Sequence, residues 1–278
     1  MRVVDIPPAP VITKRKRNTA LLPDQLDLQA WATDGLLVIE HALSHADLTR
    51  LQDWVQDLEH RPGTPQTLLQ YDETTPDGTR RRCRTENFVP YHHELRSMLT
   101  TGHIPGVAAA LLGEPAMLYK EKINYKAPGG AGFAAHQDAP AYPYITNTLA
   151  CMIAVDDSTL DNGCLEIARG HHAAQLPTDS RGCVEPAVAD TLPWEPLPVA
   201  AGSLVFFHCY VPHRSGPNNA TSTRRAIYLT YNAASDGDLR EAYYARRIRD
   251  LAAHPDRLSL IGHFAGTAQP ANNSELQP

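Results

Sequence analysis

The spacing of apolar residues divides the chain into a partly helical first third and a β-rich remainder. Apolar residues recur at helical spacing over residues 44–59, and Ser44 can cap the first turn of this predicted helix. The apolar positions on its buried face are Leu48, Leu51, Val55 and Leu58. Further helices are predicted over 24–33, 103–112 and 240–253, and a strand is predicted over 36–40.

From residue 117 onward the apolar runs are short and are separated by Gly, Pro and Asn. They predict strands over 117–125, 133–138, 148–155, 164–168, 194–198, 203–209 and 225–231. Many short strands joined by such turns are typical of a sandwich or barrel. The fold class is therefore mainly β with flanking helices, in one domain over residues 1–278. Residues 1–23 are expected to form an extended arm, residues 61–90 a loop-rich segment, and residues 267–278 a flexible tail.

A candidate metal site lies in the predicted strand 133–138. His136 and Asp138 flank Gln137, and residues two apart on a strand point to the same side. Two histidines and one carboxylate form the facial triad that holds ferrous iron and leaves coordination positions open. The second histidine has to come from elsewhere in the chain. His213, which follows the apolar run 203–209, is the candidate.

An arginine pair follows this histidine and opens the next predicted strand. Arg224 and Arg225 are adjacent, so they face opposite sides of the strand. A guanidinium group on a rigid element suits the carboxylate of an organic acid. Either arginine could supply it, because strand parity is not determined by the sequence alone.

A second group of arginines lies in the predicted loop 61–90, at positions 80, 81, 82 and 84. One interpretation is a solvated loop. The other is that one or two of them turn inward, together with Glu86 or Asn87, and hold a charged substrate. On this second interpretation Arg84 and Asn87 are candidate substrate-binding residues.

Several motifs, taken in their order along the chain, resemble the phytanoyl-CoA dioxygenase family of Fe(II)/2-oxoglutarate oxygenases. They are KINYKAPGG, HQD, DNGCLEIARGHH, VPHRSGPN and RRAIYLTYN, and the resemblance spans roughly residues 31–244. It implies a double-stranded β-helix, which is a cupin-like jelly roll. It also implies Fe(II), 2-oxoglutarate and O2, with release of succinate and CO2.

The resemblance also implies roles for particular residues. It implies that His136, Asp138 and His213 bind the metal. It implies that Arg224, which follows His213 by eleven residues as in the family, binds the far carboxylate of 2-oxoglutarate. Asn124 matches a position that helps bind the co-substrate. Because relatives that halogenate lack the carboxylate, Asp138 favours hydroxylation.

Three further positions carry less specific expectations. Lys120 lies four residues before Asn124, on the same face of a strand, and is either a second co-substrate contact or a solvated edge lysine. Tyr142 and Phe207 match positions that line the substrate pocket in related hydroxylases, although a plain core role suits both.

The substrate is suggested by a narrower resemblance. EKINYKAPGG, HQDAPAY, NGCLEIARGHH and the ending YN–SDGD–R–YY–GHF are similar to a branch that hydroxylates small phosphonates. After HQD this chain has AYPYI, where that branch carries a Trp-bearing segment. The expected activity is hydroxylation of an unactivated C–H bond in a small polar or anionic molecule. The alternatives are a natural-product tailoring oxygenase acting on an amino acid or terpenoid, a zinc-type hydrolase, and a non-catalytic cupin-like binder.

Composition narrows the class of partner. The chain is 42% hydrophobic and 20% charged with a net charge of −6, which argues against general nucleic-acid binding. No apolar run has the length of a membrane span. The five cysteines have no CxxC spacing, which is typical of reduced thiols in the cytoplasm. A small-molecule substrate and a monomer or homodimer are expected.

Overall fold

The computed structural model describes residues 26–64, 67–254 and 258–271. The helices in this part of the chain are Leu28–Asp34 (α1), His45–His60 (α2), His93–Thr100 (α3), His103–Leu112 (α4), Pro186–Ala189 (α5) and Arg240–Ala253 (α6). The strands are Leu36–Ile39 (β1), Leu69–Thr74 (β2), Arg80–Glu86 (β3), Ala116–Lys126 (β4), Phe133–His136 (β5), Thr148–Ala154 (β6), Leu165–Ile167 (β7), Glu195–Leu197 (β8), Leu204–His208 (β9), His213–Ser215 (β10), Arg224–Ala233 (β11) and Ala268–Pro270 (β12). The arm predicted over residues 1–23 lies outside the described residues.

The strands form two antiparallel sheets, and this confirms the predicted mainly-β class. The larger sheet has eight strands in the order β1-β9-β6-β11-β4-β3-β2-β12. The smaller sheet has four, in the order β5-β10-β7-β8. Every pairing in both sheets is antiparallel. The architecture is a double-stranded β-helix with flanking helices.

The larger sheet is covered on both faces, which explains the unbroken apolar character of its central strands. In β6, Leu149, Cys151 and Ile153 pack with the helices, whereas Ala150 and Met152 pack between the two sheets. All seven residues of β6 are buried. The space between the sheets therefore begins as an apolar core, and the polar site lies farther along the same space.

Local sequence signals set the helix boundaries where they were predicted. The Ser44 hydroxyl accepts a hydrogen bond from the backbone N–H of Asp47 at 3.1 Å and caps α2. Helix α4 ends where Gly113 adopts a left-handed conformation with φ of 78°. None of the helices in the described ranges has the length and hydrophobicity needed to cross a bilayer.

The prediction of a loop-rich segment over residues 61–90 is wrong for residues 69–86, because β2 and β3 form a hairpin there and extend the larger sheet. Pro76, Asp77 and Gly78 form its turn, within which the Thr75 N–H donates to the Thr79 carbonyl at 2.9 Å. The hairpin carries polar residues on both faces, including an ion pair of 2.8 Å between Arg82 and Asp72. Such strands lack the alternating apolar pattern by which strands are recognised.

The flexible tail predicted over 267–278 is also wrong for its first residues. Strand β12 pairs with β2 in the larger sheet, with Pro270 opposite Tyr71. Residues 272–278 lie outside the described residues. Three other elements, α3, α5 and β10, were missed. Strand β10 has only three residues and gains its strand character from its neighbours β5 and β7.

Candidate active site and metal centre

Two neighbouring strands of the smaller sheet bring the three predicted metal ligands together. Strands β5 and β10 are antiparallel, and His136 lies directly opposite His213. Their ring centroids are 4.0 Å apart, and Nε2 of His213 lies 3.9 Å from Oδ2 of Asp138. One donor atom from each of the three side chains lies within 4.8 Å of the others.

Asp138 does not reach this point by strand alternation as the sequence suggested. The predicted strand 133–138 ends at His136, and Asp138 has helical dihedral angles that begin a 3₁₀ turn over Ala139–Ala141. The turn directs the carboxylate toward the two imidazoles. The predicted convergence is thus observed, but a strand end followed by a turn produces it.

The orientation and protonation of the three side chains fit a ferrous ion. Nδ1 of His136 bonds the Ala134 carbonyl at 2.8 Å, and Nδ1 of His213 bonds the Val211 carbonyl at 3.0 Å, so both rings present Nε2. Burial lowers the pKa of both histidines, which keeps them neutral. Burial opposes ionisation of Asp138, yet the neighbouring His213 and Lys122 lower its pKa to about 2. Two neutral imidazoles and one carboxylate are the donor set that iron(II) needs.

Gly132 permits the close approach of β5 and β10. A Cβ atom there would lie 2.3 Å from the Ser215 carbonyl oxygen. The Gly132→Ala substitution is therefore expected to push the strands apart, to lower the free energy of unfolding by about 1–3 kcal/mol, and to weaken iron binding. Thermal unfolding and iron titration measure both effects. Gly106→Ala is the control, because nothing lies within 4 Å of a Cβ in that part of α4; equal iron affinity in the two variants would contradict the prediction.

A cavity beside the ligands is lined mainly by β4, β5, β10 and β11. The residues that line it are Lys120, Lys122, Asn124, Phe133, His136, Asp138, Ala150, Leu165, His213, Arg214, Ser215, Tyr228, Leu229, Thr230 and His263. This cavity contains the candidate metal site and two lysines at once. It is therefore the candidate active site.

The two lysines give the cavity an excess of positive charge. Lys120 and Lys122 are buried on the same face of β4 as Asn124, and β4 is an inner strand of the larger sheet. Lys120 is thus not a solvated edge lysine. Among the described residues no carboxylate lies within 4 Å of either ammonium group. Burial lowers the pKa of Lys122, and the positive charges of Lys120 and Arg84 lower it further. An anion bound in the cavity would raise this pKa again and favour the charged ammonium group.

The structure distinguishes the two arginines that the sequence left open. Arg225 points away from the cavity and forms a double ion pair with Asp156, at 2.8 and 2.7 Å. Arg224 is 1% exposed, donates through Nη1 to Ser158 Oγ at 3.2 Å, and has no described partner for Nε. Its side of β11 is the side of Tyr228, which lines the cavity. A buried donor without a partner is costly unless a ligand completes it.

Arg84 turns inward, as one interpretation of the arginine group predicted. Its guanidinium is buried and donates from Nε to Asn124 Oδ1 at 2.9 Å and from Nη1 to Ser259 Oγ at 2.7 Å. Nη2 has no described partner. Because Asn124 uses its oxygen for Arg84, its Nδ2 remains as a donor toward the cavity.

The structure does not bring Asn87 to the cavity. Its Nδ2 donates to the Thr67 carbonyl at 2.9 Å, and its Oδ1 accepts from Arg240 at 2.9 Å. These bonds hold the loop after β3 against α6 and against the segment that precedes β2. A substrate contact by Asn87 stays a prediction that the observed geometry does not favour.

Tyr142 and Phe207 lie just behind the cavity wall. The Tyr142 ring is buried, and the Lys120 ammonium lies 4.9 Å from its centroid. The Phe207 ring centroid lies 4.8 Å from that of His213. Neither is among the lining residues. Tyr142 packs against Lys120, and Phe207 packs against the metal ligand His213. Both residues therefore contact the site from the surrounding core and not from inside the cavity.

The lining residues that sequence reasoning missed include three with polar groups: Lys122, Ser215 and His263. Strand parity could have found Lys122, two residues from both Lys120 and Asn124, and also Ser215, two residues after His213. His263 lies in the GHF ending that the resemblance to the phosphonate branch includes, but the sequence assigns it no role at the site. Its position depends on how the chain returns after α6.

A double-stranded β-helix that holds a His-x-Asp pair and a distant histidine beside a cationic cavity defines the class of iron(II)- and 2-oxoglutarate-dependent oxygenases. The chain belongs to the phytanoyl-CoA dioxygenase family, whose model matches residues 31–226. It is an iron(II)- and 2-oxoglutarate-dependent dioxygenase that acts on a small molecule.

Two relatives and one solved structure show how far this similarity extends. The chain is 46% identical over 256 residues to the methylphosphonate hydroxylase of Gimesia maris, covering 90% of this chain and 97% of that protein. It is 38% identical over 232 residues to a 2-aminoethylphosphonate dioxygenase from an uncultured bacterium, covering 82% and 88%. The structure of EctD from S. alaskensis with 2-oxoglutarate and 5-hydroxyectoine covers 80% of each chain with a TM-score of 0.68 at 20% identity, which shows the shared fold.

Proposed function

We propose that this enzyme hydroxylates a C–H bond of a small alkylphosphonate while 2-oxoglutarate is converted to succinate and CO2. The observation that carries the proposal is the pair of buried lysines, Lys120 and Lys122, neither of which has a carboxylate within 4 Å among the described residues. 2-Oxoglutarate would direct one carboxylate to the metal and the other to Arg224. The two lysines then remain for a second anion, and the substrates named for the two relatives are phosphonates.

The metal ligands would be His136, Asp138 and His213. Bound there, iron(II) supplies the chemistry that activates dioxygen and breaks an unactivated C–H bond. Because Asp138 occupies the third protein position, the site leaves no room for the chloride of a halogenase. Hydroxylation is therefore the reaction that the ligand set favours.

The co-substrate would be held by residues on the facing sheets. Arg224 provides a buried guanidinium with an open donor, and Ser215 lies on β10 two residues after His213. Asn124 offers Nδ2, which Arg84 orients by occupying its oxygen. Lys120 and Lys122 neutralise the phosphonate. Water exclusion follows from burial of all these side chains.

A substrate panel tests the proposal. The iron-loaded enzyme is supplied with 2-oxoglutarate, dioxygen and either methylphosphonate, 2-aminoethylphosphonate, the corresponding carboxylic acids, an amino acid or a terpenoid. Phosphonates are expected to raise succinate formation at least about tenfold over the others, since a transition-state difference of 1.4 kcal/mol has this effect. Succinate is quantified by chromatography and the hydroxylated product by phosphorus NMR.

The panel also decides between the alternatives. Succinate formation that depends on an amino acid or terpenoid, with none on phosphonates, would favour a tailoring oxygenase. Zinc-dependent hydrolysis without oxygen consumption would favour a hydrolase. Absence of turnover with every compound, despite bound iron and 2-oxoglutarate, would contradict the phosphonate assignment.

We also propose that the enzyme works in the cytoplasm as a monomer or homodimer. All five cysteines are free thiols and are buried, which suits a reducing compartment. The negative net charge supports the absence of a nucleic-acid partner.

A further inference from the structure

The segment after α6 forms one wall of the active-site cavity. Residues 258–271 run back along β5, the strand that carries His136. The Ala134 N–H donates to the His263 carbonyl at 2.7 Å, and the Ala265 N–H donates to the Gly132 carbonyl at 3.1 Å. The segment ends in β12, which pairs with β2. The wall is therefore attached to both sheets and lies beyond the region 31–226 that the family model matches.

His263 is the residue of this wall that reaches the cavity. It is 4% exposed, and its ring centroid lies 4.1 Å from that of His136. Nδ1 lies 3.0 Å from the Ile261 carbonyl oxygen, so Nδ1 carries the hydrogen of this bond. The lone pair of Nε2 is then free, and no described residue bonds it. His263 does not belong to the group of donor atoms that meet within 4.8 Å, so it is not a fourth ligand of the same ion.

Two cations stand close to His263. Lys122 lines the same cavity as His263. Arg84 donates through Nη1 to Ser259 Oγ and to the Leu258 carbonyl at 2.9 Å, which ties it to the same segment. Its Nη2 is buried without a described partner. Both His263 and Arg84 flank Phe133, at 5.2 and 5.7 Å from its ring centroid.

Arg84, Lys122 and His263 come from three separate elements, namely β3, β4 and the segment after α6. A carboxylate offers two oxygens in one plane, whereas a phosphonate offers three oxygens in a tetrahedral arrangement. Three polar groups that approach from different elements match the tetrahedral head better than the planar one. A singly protonated phosphonate also carries a P–OH hydrogen, for which a bare imidazole nitrogen is a suitable acceptor.

We propose that Arg84, Lys122 and His263 form the phosphonate site: Arg84 and Lys122 donate to the charged oxygens, and Nε2 of His263 accepts the hydrogen of the P–OH group. The proposal rests on the proposed function and adds to it the residue that discriminates among anions. A sulfonate has the same shape but no such hydrogen at neutral pH. His263 thus makes the site prefer phosphonates over sulfonates of equal size.

The test compares His263→Leu and His263→Gln with the wild type. His263→Leu is expected to raise the KM for the preferred phosphonate about 10- to 100-fold, the range for a hydrogen bond to a charged group. Inhibition by the matching sulfonate and the KM for 2-oxoglutarate should stay unchanged. His263→Gln keeps an acceptor oxygen and should restore part of the affinity. His172→Leu is the matched control, because His172 is a half-buried histidine outside the cavity.

The outcomes separate this inference from the proposed function. A wild-type enzyme that turns over no phosphonate refutes the proposed function before any variant is compared. A wild-type enzyme that uses phosphonates while His263→Leu keeps the same KM, or weakens phosphonate and sulfonate equally, refutes only the phosphonate site. Should His263→Leu not fold, a crystal structure of the wild type with methylphosphonate decides. A phosphonate oxygen within about 3.2 Å of Nε2 supports the assignment, and a longer distance overturns it.

Discussion

Replacing Asp138 with alanine is expected to abolish substrate-dependent succinate formation, with residual activity below about 1% of the wild type. Loss of a residue that merely orients a metal ligand already costs about 10- to 100-fold, and Asp138 is itself the carboxylate of the proposed donor set. Its removal also leaves His136 and His213 facing Lys122 without the negative charge between them. Iron affinity is therefore expected to fall together with turnover.

Iron content after dialysis, the unfolding temperature and succinate formation are the measurements for this variant. Asp161→Ala is the matched control, since Asp161 is an exposed acidic residue in the turn before β7. The control should retain iron and activity. Full turnover by Asp138→Ala, with normal iron content, would show that the metal is held elsewhere.

Replacing Arg224 with glutamine is expected to raise the dissociation constant for 2-oxoglutarate by about 30- to 5,000-fold. This range corresponds to the 2–5 kcal/mol lost when one member of a buried, hydrogen-bonded charge pair is removed. Arg224 is 1% exposed, and its Nε has no partner among the described residues. After the substitution, water would therefore not easily replace the guanidinium as a partner of the bound carboxylate. Titration of the iron-loaded protein with 2-oxoglutarate, followed by absorption of the complex, measures the constant.

The neighbouring arginine provides the control for this experiment. Arg225 is paired with Asp156 on the other side of β11, and both side chains remain partly exposed. Arg225→Gln is therefore expected to cost at most about 1 kcal/mol of stability, as partly exposed ion pairs do, and to leave 2-oxoglutarate affinity unchanged. The reverse result, with weakened binding only in Arg225→Gln, would overturn the assignment of Arg224.

Local signals were sufficient wherever an element shows its own periodicity. The helix over α2 was predicted from the spacing of its apolar residues, and the end of α4 from Gly113. The hairpin of β2 and β3 was missed because its buried positions include Arg84 and Glu86, which resemble surface residues in a sequence. Partners from β4 and the segment after α6 satisfy the buried Arg84, and the Glu86 carboxylate is balanced by Arg84, whose Nη1 lies 3.3 Å from its Oε1.

Residues close together in the chain were enough to predict the ligand types, the His-x-Asp spacing, the mainly β class and the family resemblance. The inward position of Arg224 rather than Arg225, the turn that directs Asp138 and the place of His263 in the cavity wall became known from the folded chain. Strand parity, turn geometry and the return path of the chain are set by contacts between distant segments. The residues close to a given position in the chain do not specify those contacts.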